Sequence, residues 1–270
     1  MSRLRERFER LRAGRRKALV AYLCVGDPSL DESVALAQAA VRAGADVLEL
    51  GVPFSDPVAD GPVIARAAER ALAAGATLPG VLEVARRLRA ETDVPLVLFT
   101  YANPLLVRTL PRVVAAAREA SIDALLVVDL PTEAAGELRL LAAQAGIDVV
   151  PLIAPTSTEA RARAALSVAT GFAYYVSVTG ITGSATAPLE AASREAARLS
   201  AEHGVPVVVG FGVDSPDKAR RAAGPAEGGA DGVVVGTAIV KAIEGARSPA
   251  EAERAVFDLV KGLRDALDAP

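Results

Sequence analysis

Two carboxylates stand close together on a segment of the sequence that could carry acid and base chemistry. Glu49 lies between Leu48 and Leu50, and Asp60 follows eleven residues later. Successive residues of a strand face opposite sides, so leucines that pack on a helix layer would place Glu49 on the inner face of a sheet. Burial raises the pKa of a carboxyl group toward the range in which it can both give and take a proton. The segment predicts a general acid and base at Glu49, with an exposed or ion-paired glutamate as the alternative.

The loop that joins these two carboxylates is stiffened by proline. Residues 53–62 contain three prolines and two aspartates, of which Asp56 lies next to Pro57 at the expected exposed tip. The pattern leaves two roles open for Asp60. It either caps a helix that begins after the loop or works as a pair with Glu49.

Small residues at the ends of three later apolar runs indicate a site for an anion. Gly212 follows one run, Gly236 and Thr237 follow the next, and residues 177–183 form a third strip rich in small side chains. Glycine leaves backbone N–H groups unhindered, and the last two loops of a (β/α)8 barrel form a standard phosphate site with a helix N-terminus. We expect backbone N–H groups and a hydroxyl to bind phosphate here, without an arginine or lysine clamp.

The elements that would position these residues alternate between short apolar runs and longer helical stretches, which is typical of βα units in a parallel sheet. Eight strands are predicted, at residues 18–25, 46–50, 95–100, 124–129, 149–153, 172–176, 206–210 and 232–235. Eight strands with helical crossovers predict a closed (β/α)8 TIM barrel. An open doubly wound sheet is the alternative, but no G-x-G-x-x-G sequence follows the first strand.

We expect the whole chain of 270 residues to form a single domain, with an N-terminal amphipathic helix in residues 1–17 before a barrel of residues 18–262. Leu4, Phe8 and Leu11 recur at helical spacing among basic residues. This spacing indicates an apolar stripe against the core and a basic face in solvent, with a membrane-surface helix as the alternative. Acidic residues within the basic region, and the lack of a small-residue cleavage site after it, argue against a signal peptide.

The composition argues against several functional classes. With 30 Lys+Arg residues against 33 Asp+Glu residues the formal net charge is −3, whereas nucleic-acid-binding domains normally carry a basic excess. The single cysteine, Cys24, and the single histidine, His203, cannot build a zinc site of the usual Cys/His type. No uncharged apolar run approaches the roughly 18 residues that span a bilayer. We expect a cytoplasmic protein without a metal, a nucleic-acid partner or a membrane association.

Several segments together resemble the tryptophan synthase alpha subunit family over about residues 18–262. They are residues 48–62, 101–104, 128–131, 154–156, 175–183, 210–212 and 236–240. The resemblance implies a (β/α)8 barrel that cleaves indole-3-glycerol phosphate into indole and glyceraldehyde 3-phosphate. It also implies that indole passes to a partner β subunit.

The resemblance assigns roles to the residues that match the family's motifs. The catalytic glutamate and aspartate fall on Glu49 and Asp60. The active-site tyrosine falls on Tyr174, nine residues before Gly183, although strand alternation alone does not say whether Tyr174 or the adjacent Tyr175 faces the site. The remaining positions are Gly183, Gly212, Gly236 and Thr237 for the substrate phosphate, and Asp56, Pro57, Asn103, Asp129 and Thr182 for the mobile loop and the partner interface. Thr237 stands where many relatives have serine and keeps the hydroxyl.

An αββα heterotetramer is implied, with pyridoxal phosphate in the β subunit and no cofactor in this chain. Retro-aldol cleavage needs an electron sink, for which proteins commonly use a Schiff-base lysine or a divalent metal. The chain has four lysines, at positions 17, 218, 241 and 261, and none is expected at a strand end within reach of substrate. The indole ring of the substrate can supply its own sink after protonation at C3.

Two other functions stay open. Another phosphate-binding barrel enzyme of small-molecule metabolism, such as an isomerase, would share the glycines but should carry a catalytic lysine or histidine near the strand ends. A non-catalytic scaffold subunit would keep the barrel and would not need an inward Glu49.

Overall fold

The computed structural model describes residues 2–176, 189–210 and 212–269, which form one parallel sheet surrounded by helices. Nine strands lie in these ranges: β1 Ala18–Cys24, β2 Val47–Gly51, β3 Leu96–Thr100, β4 Ala124–Val127, β5 Asp148–Val149, β6 Leu152–Ile153, β7 Ala173–Val176, β8 Val207–Gly210 and β9 Gly232–Val235. The same ranges hold twelve helices: α1 Arg3–Ala13, α2 Leu30–Arg42, α3 Pro62–Ala73, α4 Leu78–Arg89, α5 Ala102–Leu106, α6 Leu110–Glu119, α7 Gly136–Ala145, α8 Glu159–Val168, α9 Leu189–His203, α10 Pro216–Ala223, α11 Thr237–Glu244 and α12 Pro249–Asp268.

The sheet closes on itself through a strand that is divided in two. The expectation of one continuous strand over residues 149–153 is wrong, because Val150 and Pro151 separate β5 from β6 and proline has no N–H for a ladder. β5 pairs with β4, and β6 pairs with β7. The strand order is β5-β4-β3-β2-β1-β9-β8-β7-β6, so the two ends of the sheet are consecutive pieces of chain. The predicted single-domain (β/α)8 barrel is confirmed.

Alternate residues of the strands fill two separate apolar layers. Leu48 and Leu50 belong to the outer layer between the sheet and the helices, whereas Val47 belongs to the barrel interior. The parallel register places Tyr22 of β1 beside Glu49 of β2, and Tyr22 also belongs to the interior layer. Glu49 therefore points into the barrel, as its leucine neighbours predicted.

The N-terminal helix closes the end of the barrel at which the strands begin. Leu4, Phe8 and Leu11 are 0%, 1% and 4% exposed and belong to the interior layer, which confirms the predicted apolar stripe. The ring of Phe8 lies 5.3 Å from that of Phe172 between centroids. The basic face does not only contact solvent. Four of its arginines pair with aspartates at strand starts: Arg3 with Asp123, Arg5 with Asp148, Arg7 with Asp46 and Arg12 with Asp231.

The last helix extends the packed structure beyond the expected end of the barrel. α12 passes residue 262 and continues to Asp268, and Leu263 is fully buried. Arg264 is also buried and donates hydrogen bonds from its Nη1 atom to the Lys17 carbonyl and to Asp46, both at 3.0 Å. These contacts hold the end of the chain against the start of the barrel.

Candidate active site

A cavity of about 150 Å³ lies at the carboxyl ends of the strands, where (β/α)8 barrels place their active sites. Its lining includes the predicted catalytic residues Glu49, Asp60 and Tyr174 and the predicted phosphate residues Gly212, Gly236 and Thr237. The fold thus brings together groups from β2, β7 and the two loops that follow β8 and β9. Gly183, which was expected to join them, and Thr182, which was expected at the mobile loop and partner interface, lie outside the described residues.

Glu49 is a buried carboxyl group without a hydrogen-bond partner. The residue is 1% exposed, and within the described part of the chain neither Oε1 nor Oε2 has a partner. Burial raises the pKa of Glu49 to about 8, because the surrounding apolar side chains disfavour the charged form. Glu49 can therefore hold a proton at neutral pH and release it to a bound molecule. The alternative of an exposed or ion-paired glutamate is wrong.

Asp60 is positioned by a tyrosine that directly follows the next strand, β3. The Tyr101 hydroxyl donates to Asp60 Oδ2 at 3.0 Å and accepts the Ala59 N–H at 3.1 Å. Burial raises the pKa of Asp60 to about 6, while the hydrogen bond from Tyr101 acts in the opposite direction. The capping alternative is wrong, since the N-cap of α3 is Gly61 and has no side-chain cap.

The two adjacent tyrosines of β7 face opposite sides of the sheet. Tyr174 is 4% exposed, belongs to the barrel interior and lines the cavity with Glu49. Burial raises the pKa of Tyr174 well above its usual value, and the charges of Glu49 and Asp60 raise it further. Tyr175 belongs to the outer layer, and the charges of Glu195 and Arg198 on α9 influence its pKa. Tyr174 is therefore the tyrosine within reach of the site.

Two glycines at strand ends make room for tyrosine side chains in the cavity. A Cβ atom on Gly51 would lie 2.4 Å from the hydroxyl of Tyr22, and one on Gly210 would lie 2.1 Å from the hydroxyl of Tyr174. Tyr22 is 7% exposed, and its ring meets that of Phe99 edge-on at 5.1 Å between centroids. Sequence reasoning missed Tyr22 as a cavity residue, although strand alternation from Glu49 across the register could have found it.

The part of the cavity for which the sequence predicts phosphate binding is built largely from backbone. Thr237 is the first residue of α11, and Gly236 is its N-cap, so the N–H groups of the first helical turn have no partner within the helix. Gly212 has a φ of +81°, a left-handed conformation that favours glycine, and a Cβ atom there would meet open space. These groups match the expected anion site of backbone N–H groups and a hydroxyl.

Lys241 also lines this cavity, which corrects the expectation that no lysine could reach substrate. α11 begins directly after β9, and Lys241 lies one helical turn after Thr237 on the same face of the helix. A search for lysines at strand ends missed it because it belongs to the helix that follows. Asp214 lines the cavity too and pairs with Lys218 at 2.7 Å.

A larger cavity of about 790 Å³ adjoins the first, and Asp60 and Phe99 line both. Of the residues predicted for the loop and partner interface, Asp129 lines this cavity, and Asp56 and Pro57 directly precede Val58, which also lines it. Asp56 and Asn103 are exposed and Pro57 is half-buried. Asp129 is exposed, lines the larger cavity and accepts the Ala102 N–H at 2.7 Å, which ties its loop to the start of α5.

The described residues hold neither a cluster of metal-ligating side chains nor a membrane-spanning helix. They contain no group of three or more His, Cys, Asp or Glu side chains arranged to hold a metal ion. Among the same residues, no helix combines the length and the apolar character that a membrane crossing requires.

Comparison with known proteins agrees with the geometry. The sequence model of the family described as tryptophan synthase alpha chain matches residues 8–267. The tryptophan synthase alpha chain of Geobacter sulfurreducens is 47% identical over 267 residues, covering 99% of both chains, and that of Azoarcus sp. strain BH72 is 46% identical, covering 99% of this chain and 97% of the other. The chain belongs to the tryptophan synthase alpha chain family.

Solved structures of this family have the same fold. Tryptophan synthase subunit alpha from Legionella pneumophila superposes with a TM-score of 0.88 at 34% identity and covers 99% of each chain. The aminoacrylate-bound tryptophan synthase of M. tuberculosis gives a TM-score of 0.85 at 33% identity, covering 97% of this chain and 100% of the other. The chain is accordingly a carbon–carbon lyase of the tryptophan synthase alpha chain family, and it cleaves indole-3-glycerol phosphate to indole and glyceraldehyde 3-phosphate.

Proposed function

We propose that Glu49 is the general acid and base of the cleavage reaction, that Asp60 stabilises the indole nitrogen, and that Tyr174 assists at the glycerol hydroxyl. The observation that carries this proposal is the buried carboxyl of Glu49, whose two oxygens have no partner within the described residues. A buried polar group without a hydrogen bond costs free energy, so such groups are rare outside functional sites.

In the proposed reaction Glu49 gives one proton and takes one back, so its protonation state is the same before and after a turnover. Its carboxyl proton passes to C3 of the indole ring, and the ring becomes a protonated indolenine with a C=N bond. The resulting carboxylate then takes the proton of the glycerol hydroxyl next to the ring, directly or through Tyr174. The C–C bond breaks as that oxygen forms the aldehyde carbonyl, and the released electron pair restores the indole. Asp60 accepts the indole N–H and stabilises the positive charge that develops there.

The two adjoining cavities suit the two ends of the substrate. The smaller cavity, about 150 Å³, is below the usual size of a ligand site, so the substrate must extend into the larger one past Asp60 and Phe99. In this arrangement the phosphate lies near Gly212, Gly236 and Thr237. The indole ring then lies on the side of the larger cavity, with the bond that breaks near Glu49.

The reaction as proposed needs no cofactor in this chain, since the protonated indole ring accepts the electrons that a Schiff base or a metal would otherwise accept. Pyridoxal phosphate belongs to the partner β subunit in this proposal. A cytoplasmic location is also part of it, because a biosynthetic enzyme acts where its phosphorylated substrate is produced.

A β subunit is the proposed partner, in an αββα assembly that passes indole from one subunit to the other. Support comes from the mouth of the barrel, where three apolar side chains are exposed beside the predicted interface residues. Val58 is 71% exposed, Leu106 is 59% exposed and Val107 is 77% exposed. Val58 follows Asp56 and Pro57, and the other two follow Asn103 in α5 and its end. The hydrogen bond from Ala59 to Tyr101 ties the two segments together, and exposed apolar side chains on neighbouring segments are typical of an interaction surface.

Assay of the purified chain alone tests the function. We expect equal amounts of indole and glyceraldehyde 3-phosphate from indole-3-glycerol phosphate, with the same rate after exhaustive treatment with EDTA. Borohydride added during turnover should leave no adduct on Lys241, the lysine that lines the cavity. Failure to form indole would exclude this activity and favour a scaffold subunit, and a reduced adduct at Lys241 would replace the proposed mechanism by a Schiff-base one.

A further inference from the structure

One charged group of the active-site cavity has no part in the cleavage chemistry. Lys241 lines the cavity together with Gly236 and Thr237, where the proposed function places the substrate phosphate. We propose that Lys241 is a substrate-binding residue, whose ammonium group contacts the phosphate of indole-3-glycerol phosphate in addition to the backbone N–H groups. This inference rests on the proposed function, because it adds a residue to the phosphate end of the same site.

The position of Lys241 on α11 directs its side chain toward the phosphate end. Residues four apart lie on the same face of a helix, so Lys241 stands directly behind Thr237. Helical side chains lean toward the N-terminus of their helix, so the four-carbon stem of Lys241 extends back over the first turn. The lysine side chain and the N–H groups of that turn, which have no partner within the helix, therefore belong to the same part of the cavity wall.

The other lysines of the chain already have partners. Lys17 Nζ donates to the Ala230 carbonyl at 2.7 Å, Lys218 pairs with Asp214 at 2.7 Å, and Lys261 pairs with its neighbour one turn later in α12. Lys241 is an exposed residue at the edge of the cavity, and in the part of the chain that the structure describes no carboxylate or carbonyl oxygen accepts a hydrogen bond from its ammonium group.

The carboxylate nearest to Lys241 along α11 is held elsewhere. Glu244 accepts hydrogen bonds from Arg66 at 3.0 Å and 3.1 Å, and from Arg70 at 2.9 Å. Glu244 is therefore drawn to α3 and away from the cavity. A lysine without a partner, kept beside a helix N-terminus that favours anions, is a charge available to the ligand.

In the described structure, the balance of charge at this end of the cavity leaves Lys241 uncompensated. The Asp214 carboxylate lines the cavity and would repel a phosphate, but Lys218 compensates its charge. Lys241 then supplies the positive charge that remains. Lysine suits this place because its ammonium group is a compact charge on a flexible stem, which can follow a phosphate as it enters and leaves.

Removal of the Lys241 charge, compared with removal of a lysine charge on the surface of α12, tests the proposal. Lys241→Met should raise the Kd for glycerol 3-phosphate, measured by calorimetry, by about tenfold, the effect of losing one charge-assisted hydrogen bond. The KM for indole-3-glycerol phosphate should rise in parallel while kcat stays close to wild type. Indole should bind as before, and Lys241→Arg should recover most of the affinity. Lys261→Met removes the same charge from the surface of α12 and should change neither constant.

The outcomes separate this inference from the function on which it rests. A Kd for glycerol 3-phosphate within about twofold of wild type, the range expected of an exposed surface charge, would overturn the role of Lys241. A fall in kcat at constant KM would also overturn it. A wild-type chain that binds glycerol 3-phosphate through Lys241 but forms no indole would contradict the proposed function and leave the phosphate contact standing.

Discussion

Glu49 is unlike the other buried carboxyl groups of the protein in its surroundings. Asp27 receives two hydrogen bonds from Arg70 at 2.8 Å. Asp46 and Asp123 each accept a strand N–H and pair with an arginine, at 3.0 Å from Arg264 and 2.6 Å from Arg89. These pairs stabilise the fold by compensating the cost of burying charge. Glu49 has no such compensation in the described structure, which is what a group that exchanges protons with a substrate requires.

The opposite protonation states of Glu49 and Asp60 predict a bell-shaped pH profile. The proposed mechanism needs Glu49 protonated and Asp60 ionised, and burial raises their pKa values to about 8 and about 6. We expect kcat/KM to fall below pH 6, as Asp60 gains a proton, and to fall again above pH 8, as Glu49 loses one. Initial rates measured from about pH 5 to about pH 9.5 check this pH dependence of kcat/KM. A profile without an alkaline fall would remove Glu49 as the acid.

Tyr101 is predicted to set the acidic side of that profile. Its hydroxyl donates to Asp60, which favours the ionised carboxylate, so Tyr101→Phe should raise the pKa of Asp60. The acidic fall in kcat/KM should then move to higher pH. Tyr175→Phe is the matched control, because it removes a hydroxyl from the outer layer and should leave the profile unchanged. An acidic limb that stays in place in Tyr101→Phe would show that the tyrosine does not position Asp60.

At the scale of elements, glycines at or just after strand ends connect the cavity around Glu49 with the proposed phosphate site. Gly51 and Gly210 admit the tyrosines of neighbouring strands, and Gly236 starts α11. The last of these glycines also lies against the cavity wall, because a Cβ atom there would be 3.3 Å from the ring of Tyr22. The backbone at the end of β9 and the wall of the catalytic cavity are therefore in direct contact.

Gly236→Val is predicted to weaken substrate binding more than catalysis. The added side chain would press on Tyr22 and crowd the phosphate end, and overpacking of this kind costs about 1–3 kcal/mol, or roughly tenfold or more in KM. Steady-state kinetics measure it, with Gly245→Val at the other end of α11 as the control. An unchanged KM in Gly236→Val would refute the placement of the phosphate site.

Elements were more predictable from the sequence than contacts between loops. The strands and the inward direction of Glu49 follow from local alternation, which a single sequence displays. The fifth predicted strand is divided at Pro151, because proline has no N–H to donate to a neighbouring strand. The alternation of apolar residues does not show where such a break falls. The contact of Tyr101 with Asp60 joins two loops 41 residues apart, so it requires the closed barrel before it can be seen.

Considered as a whole molecule, the barrel has a closed end and an open end. α1 fills the closed end with Leu4, Phe8 and Leu11 and pairs its arginines with aspartates at the strand starts. The open end carries both cavities and the exposed side chains of Val58 and Val107. Stability and function are thus separated along the barrel axis, so changes at the mouth can alter partner binding without loss of the core.

The open end is predicted to bind the β subunit through these apolar side chains. Val107→Asp should weaken binding of the cognate β subunit by about tenfold or more, because a charge would be buried in the interface, while the chain alone keeps its rate of indole formation. Leu72→Asp, on a partly exposed residue near the end of α3, is the control for an added charge. Sedimentation and indole assays with and without the β subunit check both. Equal binding by the two variants would move the interface away from the mouth.

The stability of a Glu49 variant provides the control for its activity. In the folded chain the pKa of Glu49 is raised from 4.5 to about 8. The neutral carboxyl therefore contributes fully to the free energy of unfolding below pH 4.5, and this contribution is lost as the pH rises through about 8. The amide of Glu49→Gln cannot ionise, so the variant does not lose this contribution to stability. The variant should therefore gain stability relative to wild type as the pH is raised from 5 to 9 (approximate values), and chemical denaturation at each pH measures this gain.

Single-turnover cleavage of indole-3-glycerol phosphate by Glu49→Gln tests the central claim most directly. The amide cannot give its proton to C3 or take one from the glycerol hydroxyl, so the rate of indole formation should fall by about 10²- to 10⁴-fold. Glycerol 3-phosphate should still bind, since its proposed contacts are with Gly236 and Thr237 and not with Glu49. A folded variant that binds glycerol 3-phosphate and forms indole at the wild-type rate would contradict the assignment of Glu49 as the acid and base of this reaction.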